Sequence, residues 1–354
     1  MNKLKGLLRR FLPQRLTLLI EKAYRFTRGL FWQARFGFPA RGMRVIAVTG
    51  TNGKTTTCAY INEVLKAGGY KTAVLTTVFY EINGRREPNT THFTISKQSI
   101  VQSFMNRAKN ADVDWVILEV TSHALDQDRI MGVPVRIAVI TNLTQDHLDY
   151  HGTMENYAAA KARLLTQFSP GHAVLNADDK WYDFFRSRTP PATEVFSVGS
   201  QPNVTGRIGK IKLTKSGGSA TFATKNHRLT IKTSLAGDFN VVNAAMAAAV
   251  GSIFLMEPKV IAKAIAGVKS LEGRMERIPG SQPFDVYVDF AITPDAIEKA
   301  LSSLQKTTKG KVRIVFGATG DRDKEKRVFN GTAHEEIAKR KNQPSAYAGK
   351  LFLQ

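Results

Sequence analysis

The chain has 354 residues, 43% of them apolar, enough to bury a core and fill two or three domains. Its single cysteine, Cys58, excludes an internal disulfide and a cysteine-rich zinc site. Fifty-one Lys and Arg against 29 Asp and Glu leave a net charge of +22, a field that attracts nucleotides, phosphorylated metabolites, nucleic acid or anionic lipid.

The basic excess is densest at the start. Between Met1 and Arg44 stand eleven basic residues and one acid, Glu21, interleaved with Leu, Ile, Phe and Trp. No uncharged run there approaches the roughly 18 to 20 residues of a membrane span, and no small-residue cleavage site follows an apolar core. Residues 1–43 therefore read as a basic amphipathic arm. It suits a helix lying on an anionic membrane surface, where each well-placed Lys or Arg contributes about 1 kcal/mol. It equally suits a helix packed on the next domain.

From Arg44 the pattern alternates strand and helix. RVIAVTG is a buried strand, and Thr55 to Ala67 a helix closed by Gly68-Gly69. TAVLTTV is a second strand, and VFYEINGRRE a hairpin around Asn83-Gly84. A helix over Ser96 to Ala111, the strands WVILEV and RIAVITNL, a helix over Glu155 to Phe168 and the strand HAVLNADD follow. The fold class is α/β with a mostly parallel sheet. Gly199 to Leu235, rich in Thr, Lys and Gly, predicts small antiparallel strands, and Asn240 to Phe254 a helix. Near Gly273-Arg274 the pattern shifts again. DVYVDFA, a helix from Pro294 and KVRIVFGATGDRD open another α/β unit that reads as incomplete and Rossmann-like. The expected domains are an arm (1–43), a central domain (44–275) and a partial third domain (276–354).

VIAVTGTNGKTTT, Val45 to Thr57, carries the chemistry. A strand runs into G-x-x-G-K-T and then a helix, the arrangement of a phosphate-binding loop. Gly50 and Gly53 let backbone N–H groups approach phosphate. Lys54 would neutralise the β and γ phosphates, Thr55 would bind Mg²⁺, and the helix N-terminus adds positive potential. Val48 occupies the place of the first Gly in the longer G-x-x-x-x-G-K-[ST] pattern.

TGTNGKTTT also resembles the nucleotide loop of the Mur ligases, ATP-dependent enzymes that add amino acids to a peptidoglycan precursor. Further matches follow in order: NTT from Asn89, EVTSHALDQDR from Glu119, TNLTQDHLDYHGTMENYAAAKARLL from Thr141 and NADD from Asn176. AGDFNVVNAA from Ala236, GRMERI from Gly273, VDFAITPDAI from Val288 and FGATGDRDKEKR from Phe316 complete the set. The set is most similar to the MurE-type branch, which adds the third residue of the stem peptide.

The resemblance implies a two-step reaction. A peptide carboxylate takes the γ-phosphoryl group of ATP to give an acyl phosphate, and an amine then displaces phosphate. It implies ATP contacts from Gly50, Thr51, Asn52, Gly53, Lys54, Thr55, Thr56, Asn240, Asn243, Arg274 and Asp289. It implies two Mg²⁺ ions at Thr55, Glu119, His147 and a carbamylated Lys161. Catalytic roles fall on Lys54, Glu119, His147, Lys161 and Arg274. Muramoyl-peptide contacts fall on Thr90, Thr91, Thr121, Gln127 and Arg129. The implied partners are a muramoyl-peptide, UDP- or lipid-linked, and an amino acid; no nucleic acid or fixed protein partner is implied. The expected location is the cytoplasm, with a peripheral contact on the inner membrane face.

Three departures stand against this pattern. The family's uridine-gripping N-terminal domain has no counterpart before Val45. Ile292 takes the place of a His in the DYAHTPD motif, and cannot donate its hydrogen bond. The third domain is short, and D-N-P-R, with which this branch reads its diamino acid, is nowhere present. The expectation is a MurE-like ligase of reduced architecture. The alternatives are an amidating ligase on lipid-linked muropeptide, opposed by the single Cys, and a non-catalytic ATP-binding homologue.

Overall fold

The computed structural model describes residues 13–315, His92 excepted. The first twelve residues of the arm and the segment from Phe316, with its FGATGDRDKEKR motif, lie outside that range.

Among the described residues, one twelve-stranded sheet organises the molecule. Its parallel centre runs β2 (Thr72–Leu75), β5 (Trp115–Glu119), β1 (Val45–Thr49), β6 (Val135–Ile140), β7 (His172–Asn176), β8 (Glu194–Gly199) and β9 (Gly206–Ile208). One edge ends in the hairpin β3 (Phe79–Ile82) and β4 (Arg85–Pro88), turned by Asn83 and Gly84, both at positive φ. The other edge is the antiparallel group β10 (Lys212–Thr214), β11 (Gly217–Ala223) and β12 (Arg228–Thr233).

Helices cover both faces, which is why β1 and β5 are apolar without alternation and fully buried. Ile46 and Val48 point into a core shared with the helices Lys54–Ala67 and Asp238–Ile253. Val45 and Ala47 point the other way, towards the helices Gln98–Asn110 and Met154–Thr166. Ala244, Ala245, Ala247 and Ala248 keep Asp238–Ile253 slim enough to lie close against Lys54–Ala67. A leucine at such a fully buried site would overpack it, at a cost of about 1–3 kcal/mol.

The strand expected over TAVLTTV stops at Leu75. The Thr76 hydroxyl accepts the Phe79 N–H at 2.9 Å and donates to the Phe79 carbonyl at 2.8 Å, so local turn bonding replaces the ladder. HAVLNADD likewise leaves the sheet after Asn176, where Asp179 accepts the Leu143 and Trp181 N–H groups.

In the third unit, β13 (Glu276–Ile278) and β14 (Val286–Val288) pair antiparallel, and the helix Pro294–Thr307 follows. Residues 311–315 form no strand. The unit rests on the central domain: Lys306 pairs with Asp238 at 3.1 Å, and the Tyr287 hydroxyl donates to the Lys215 carbonyl at 2.7 Å.

Candidate active site

Strands β1, β5 and β6 deliver their C-terminal ends to one cavity of about 680 Å³, the edge at which parallel sheets present ligands. The turn after β1 forms its floor. Gly53 sits at φ +82°, where a side chain would be strained and would collide with the Asn243 amide. Gly50 has Thr141 against it in the same way. Lys54 opens the helix and folds back, donating to the carbonyls of Gly50 at 3.1 Å and Thr51 at 2.7 Å. Burial lowers its pKa, Glu119 opposes that and Arg274 adds to it.

Glu119, at the end of β5, is the hub. It is 2% exposed and accepts the Thr55 hydroxyl at 2.8 Å, the Thr77 N–H at 2.9 Å and the Thr77 hydroxyl at 2.8 Å. Arg274 reaches in from the start of the third unit, its Nη2 donating to Thr55 Oγ1 at 3.1 Å. Its Nε–H is buried and meets no acceptor among the described residues. Asp289 lies nearby, accepting the Met275 N–H at 2.7 Å, and burial raises its pKa against the pull of Arg274. Asn52 ties the loop to the third unit through Asp295 at 3.0 Å, so the cavity is closed by two domains. Asn240 and Asn243 line it from the helix behind the loop, joined to each other at 3.2 Å.

His147 also lines the cavity, at φ +52° before a short helical turn. Lys161 does not line it. It lies beneath the loop, 1% exposed, donating to the Gly50 carbonyl at 2.7 Å with its ammonium 4.5 Å from the Tyr157 ring centroid. Burial, reinforced by Lys54 and opposed by Asp146, drives its pKa well below the ordinary lysine value.

This geometry meets the comparisons with known proteins. The profile of the Mur ligase middle domain matches residues 48–251, and that of the Mur ligase glutamate ligase domain matches residues 273–345. The chain belongs to the Mur ligase family. A Bacillus velezensis UDP-N-acetylmuramoyl-L-alanyl-D-glutamate–2,6-diaminopimelate ligase is 38% identical over 303 residues, covering 83% of this chain and 61% of the relative. This chain thus spans about three fifths of the length of such relatives. A solved structure of a ligase of the same name superimposes with a TM-score of 0.68 at 29% identity, over 87% of this chain and 62% of the other. Mycobacterium tuberculosis folylpolyglutamate synthase, solved with ADP and AMPPCP, shares the fold: TM-score 0.66, 20% identity, 79% of this chain and 70% of that one.

In this member of the Mur ligase family one cavity is lined by Thr51 to Thr56, Glu119, Asn240, Asn243, Arg274 and Asp289, and also by Thr121, His123 and Arg129. Arg129 is aimed by the Ile95 carbonyl at 2.5 Å and Gln127 Oε1 at 2.7 Å. Gln127 therefore orients Arg129 and does not itself line the cavity. Thr90 and Thr91 are exposed outside it, and Thr91 is engaged with Asn89 in a local turn at 2.6 Å.

Sequence reasoning overlooked Thr77, Asp146 and His123. Thr77 was hidden inside an apparent strand. Asp146, 5% exposed, directly precedes His147 in the matched motif, and that adjacency was the available signal. Its carboxylate lies 3.5 Å from His147 Nε2.

Among the described residues no cluster of three His, Cys, Asp or Glu could enclose a metal by itself. The Thr55 hydroxyl and Glu119 carboxylate, 2.8 Å apart on the cavity wall, are nevertheless the hard oxygen donors magnesium takes. That ion commonly draws its remaining ligands from phosphates and water, so the donor set fits it.

Proposed function

We propose that this chain is an ATP-dependent amide ligase that extends a muramoyl-dipeptide by one amino acid. One observation carries the reading. A phosphate loop, a buried carboxylate–hydroxyl pair and an arginine whose Nε–H meets no acceptor among the described residues share a cavity with a second oriented arginine. Such a cavity suits a triphosphate beside an anionic peptide.

In this reading the backbone of Gly50–Thr56 and Lys54 hold the β and γ phosphates. A peptide carboxylate oxygen attacks the γ-phosphorus, the bond to the bridging oxygen breaks and ADP departs. An incoming amine then forms the amide bond, losing a proton as phosphate leaves. The chemistry brings anions together, so the protein acts mainly by clamping and alignment. Arg274 offsets charge on the transferring group. Thr121 and Arg129 hold the peptide, with Gln127 behind Arg129 and Thr90 and Thr91 at the outer edge.

Thr55 and Glu119 would hold one magnesium ion, and His147 with a carbamate on Lys161 a second. Bound there, the ions neutralise phosphate charge. The carbamate is supported by burial, which lowers the Lys161 pKa and so favours the uncharged amine that reacts with CO₂. The relatives are named for 2,6-diaminopimelate, and the amino acid added here belongs to that substrate question. The precursor is UDP- or lipid-linked, the site of action is the cytoplasm, and the basic segment 1–43 is a contact for anionic membrane. Among the described residues no helix is long and apolar enough to cross a membrane.

The test is ATP consumption with candidate muramoyl-dipeptides and amino acids, with the amide product identified by mass. Nucleotide binding without turnover on any acceptor would instead support a non-catalytic homologue, a reading favoured by Ile292 facing the cavity where the family has His.

A further inference from the structure

The helix Gln14–Arg35 is turned inside out. Its inward face is largely polar: Thr17, Glu21, Arg25 and Gln33 lie there, beside the buried Gly29 and the half-buried Trp32. Arg25 donates to the Asp126 carbonyl at 2.8 Å and pairs with Glu21 at 3.4 Å, and Gln98 donates to the Arg25 carbonyl at 3.2 Å. Its outward face is apolar. Leu16, Leu19, Ile20, Phe26, Leu30 and Phe31 recur at helical spacing and are exposed, Leu19, Phe26 and Phe31 at 63%, 58% and 59%. The helix Gln98–Asn110 beneath shows the ordinary arrangement, burying Val101, Phe104 and Met105. Polar anchoring inwards fixes which face looks out, so the apolar stripe is held there by specific bonds.

Charge identifies the occupant. Arg15, Lys22 and Arg35 flank the stripe, and the helix's one acid, Glu21, is buried on the opposite face. An apolar stripe of about 23 Å, bordered by cations and free of anions, matches the boundary between acyl chains and anionic headgroups. A protein groove would need acids to meet those cations, and a second copy of this helix would bring like charges together.

We infer that the outward face of Gln14–Arg35 lies in the surface of an anionic bilayer. This rests on the membrane reading of segment 1–43 and narrows it to one face of one helix. Arg25 of the same helix holds the Asp126 carbonyl, three residues before Arg129, so a docked molecule keeps Arg129 about one helix diameter from the lipid.

The test is co-sedimentation of the full chain with vesicles of phosphatidylglycerol and phosphatidylcholine, and of phosphatidylcholine alone, at physiological salt. The unaltered chain is expected to partition into the anionic vesicles and far less into the neutral ones. The triple variant Leu19→Gln, Phe26→Gln, Phe31→Gln is expected to lose on the order of tenfold or more in partitioning, while MgATP raises its Tm as in the parent. Equal partitioning of the triple variant overturns the docking face yet leaves charge-driven binding by the arm standing. No partitioning by the parent overturns both. Sedimentation as a dimer that the triple variant converts to monomer gives the face to a second copy and also overturns the inference.

Discussion

Thr55→Val is the sharpest probe of the site because it removes one hydroxyl and little volume. That hydroxyl donates to Glu119 at 2.8 Å and accepts from Arg274 at 3.1 Å, and Thr55 is 3% exposed. Each bond has a charged partner, for which about 1.5–3 kcal/mol is typical. Glu119 keeps its two bonds from Thr77, which limits the loss on that side. The net cost is then about 2–3 kcal/mol, or roughly 4–12 °C in Tm for a cooperative unit of about 150–250 residues. Nucleotide linkage gives a second, independent reading. At a hundredfold excess over Kd, MgATP stabilises the parent by about 2.7 kcal/mol. The variant, lacking a metal donor and with Arg274 released, should gain less than about 1 kcal/mol. Differential scanning fluorimetry with and without MgATP measures both numbers. An equal MgATP shift in parent and variant would refute the assignment of Thr55 to the nucleotide site, whatever happened to the baseline Tm.

Other residues make further predictions. Lys161→Met should abolish acyl-phosphate formation, at least 100-fold in ATP turnover, while Tm holds or rises because a buried amine disappears; turnover near the parent's would remove Lys161 from the chemistry. Burial, with His123 beside it, lowers the pKa of His151 from 6.5 to about 4, and the ring meets Ser122 Oγ at 3.0 Å. Its folded-state pKa is depressed, so its contribution is complete above about pH 6.5 and fades as pH falls towards 4. Between those pH values His151→Gln should therefore lose less Tm than the parent, and parallel melting curves would contradict this. Ile292→His restores a donor on the cavity wall and should raise turnover several-fold; unchanged turnover would show that the native isoleucine costs nothing.

Much of the site was legible because its chemistry is local. A strand, two glycines, Lys54 and Thr55 lie within eleven residues, and a phosphate loop needs nothing from elsewhere to be recognised. Glu119 was legible as the end of an apolar strand. Thr77 was not, since its neighbour's hydroxyl ends the strand through a bond that periodicity does not register. The depth of Lys161 under the loop and its bond to the Gly50 carbonyl were not legible, because both are properties of packing. Gln127 was expected among the peptide contacts; its bond to Arg129 was not legible, because a loop's side-chain directions follow from its closure and not from its composition.

The sequence by itself determined the alternation of strands and helices, the phosphate loop and the amphipathic character of the first helix, since each depends on spacing within a turn or two of chain. Only the tertiary structure decided which donors meet. Thr55, Glu119 and Arg274 are separated by 64 to 219 positions and converge because parallel strands end at one edge and the third unit folds over it. The same holds for the helix Gln14–Arg35. Periodicity gave it two faces, but long-range bonds to Asp126 and Gln98 turned the polar one inwards, since buried polar groups must find partners wherever the fold offers them.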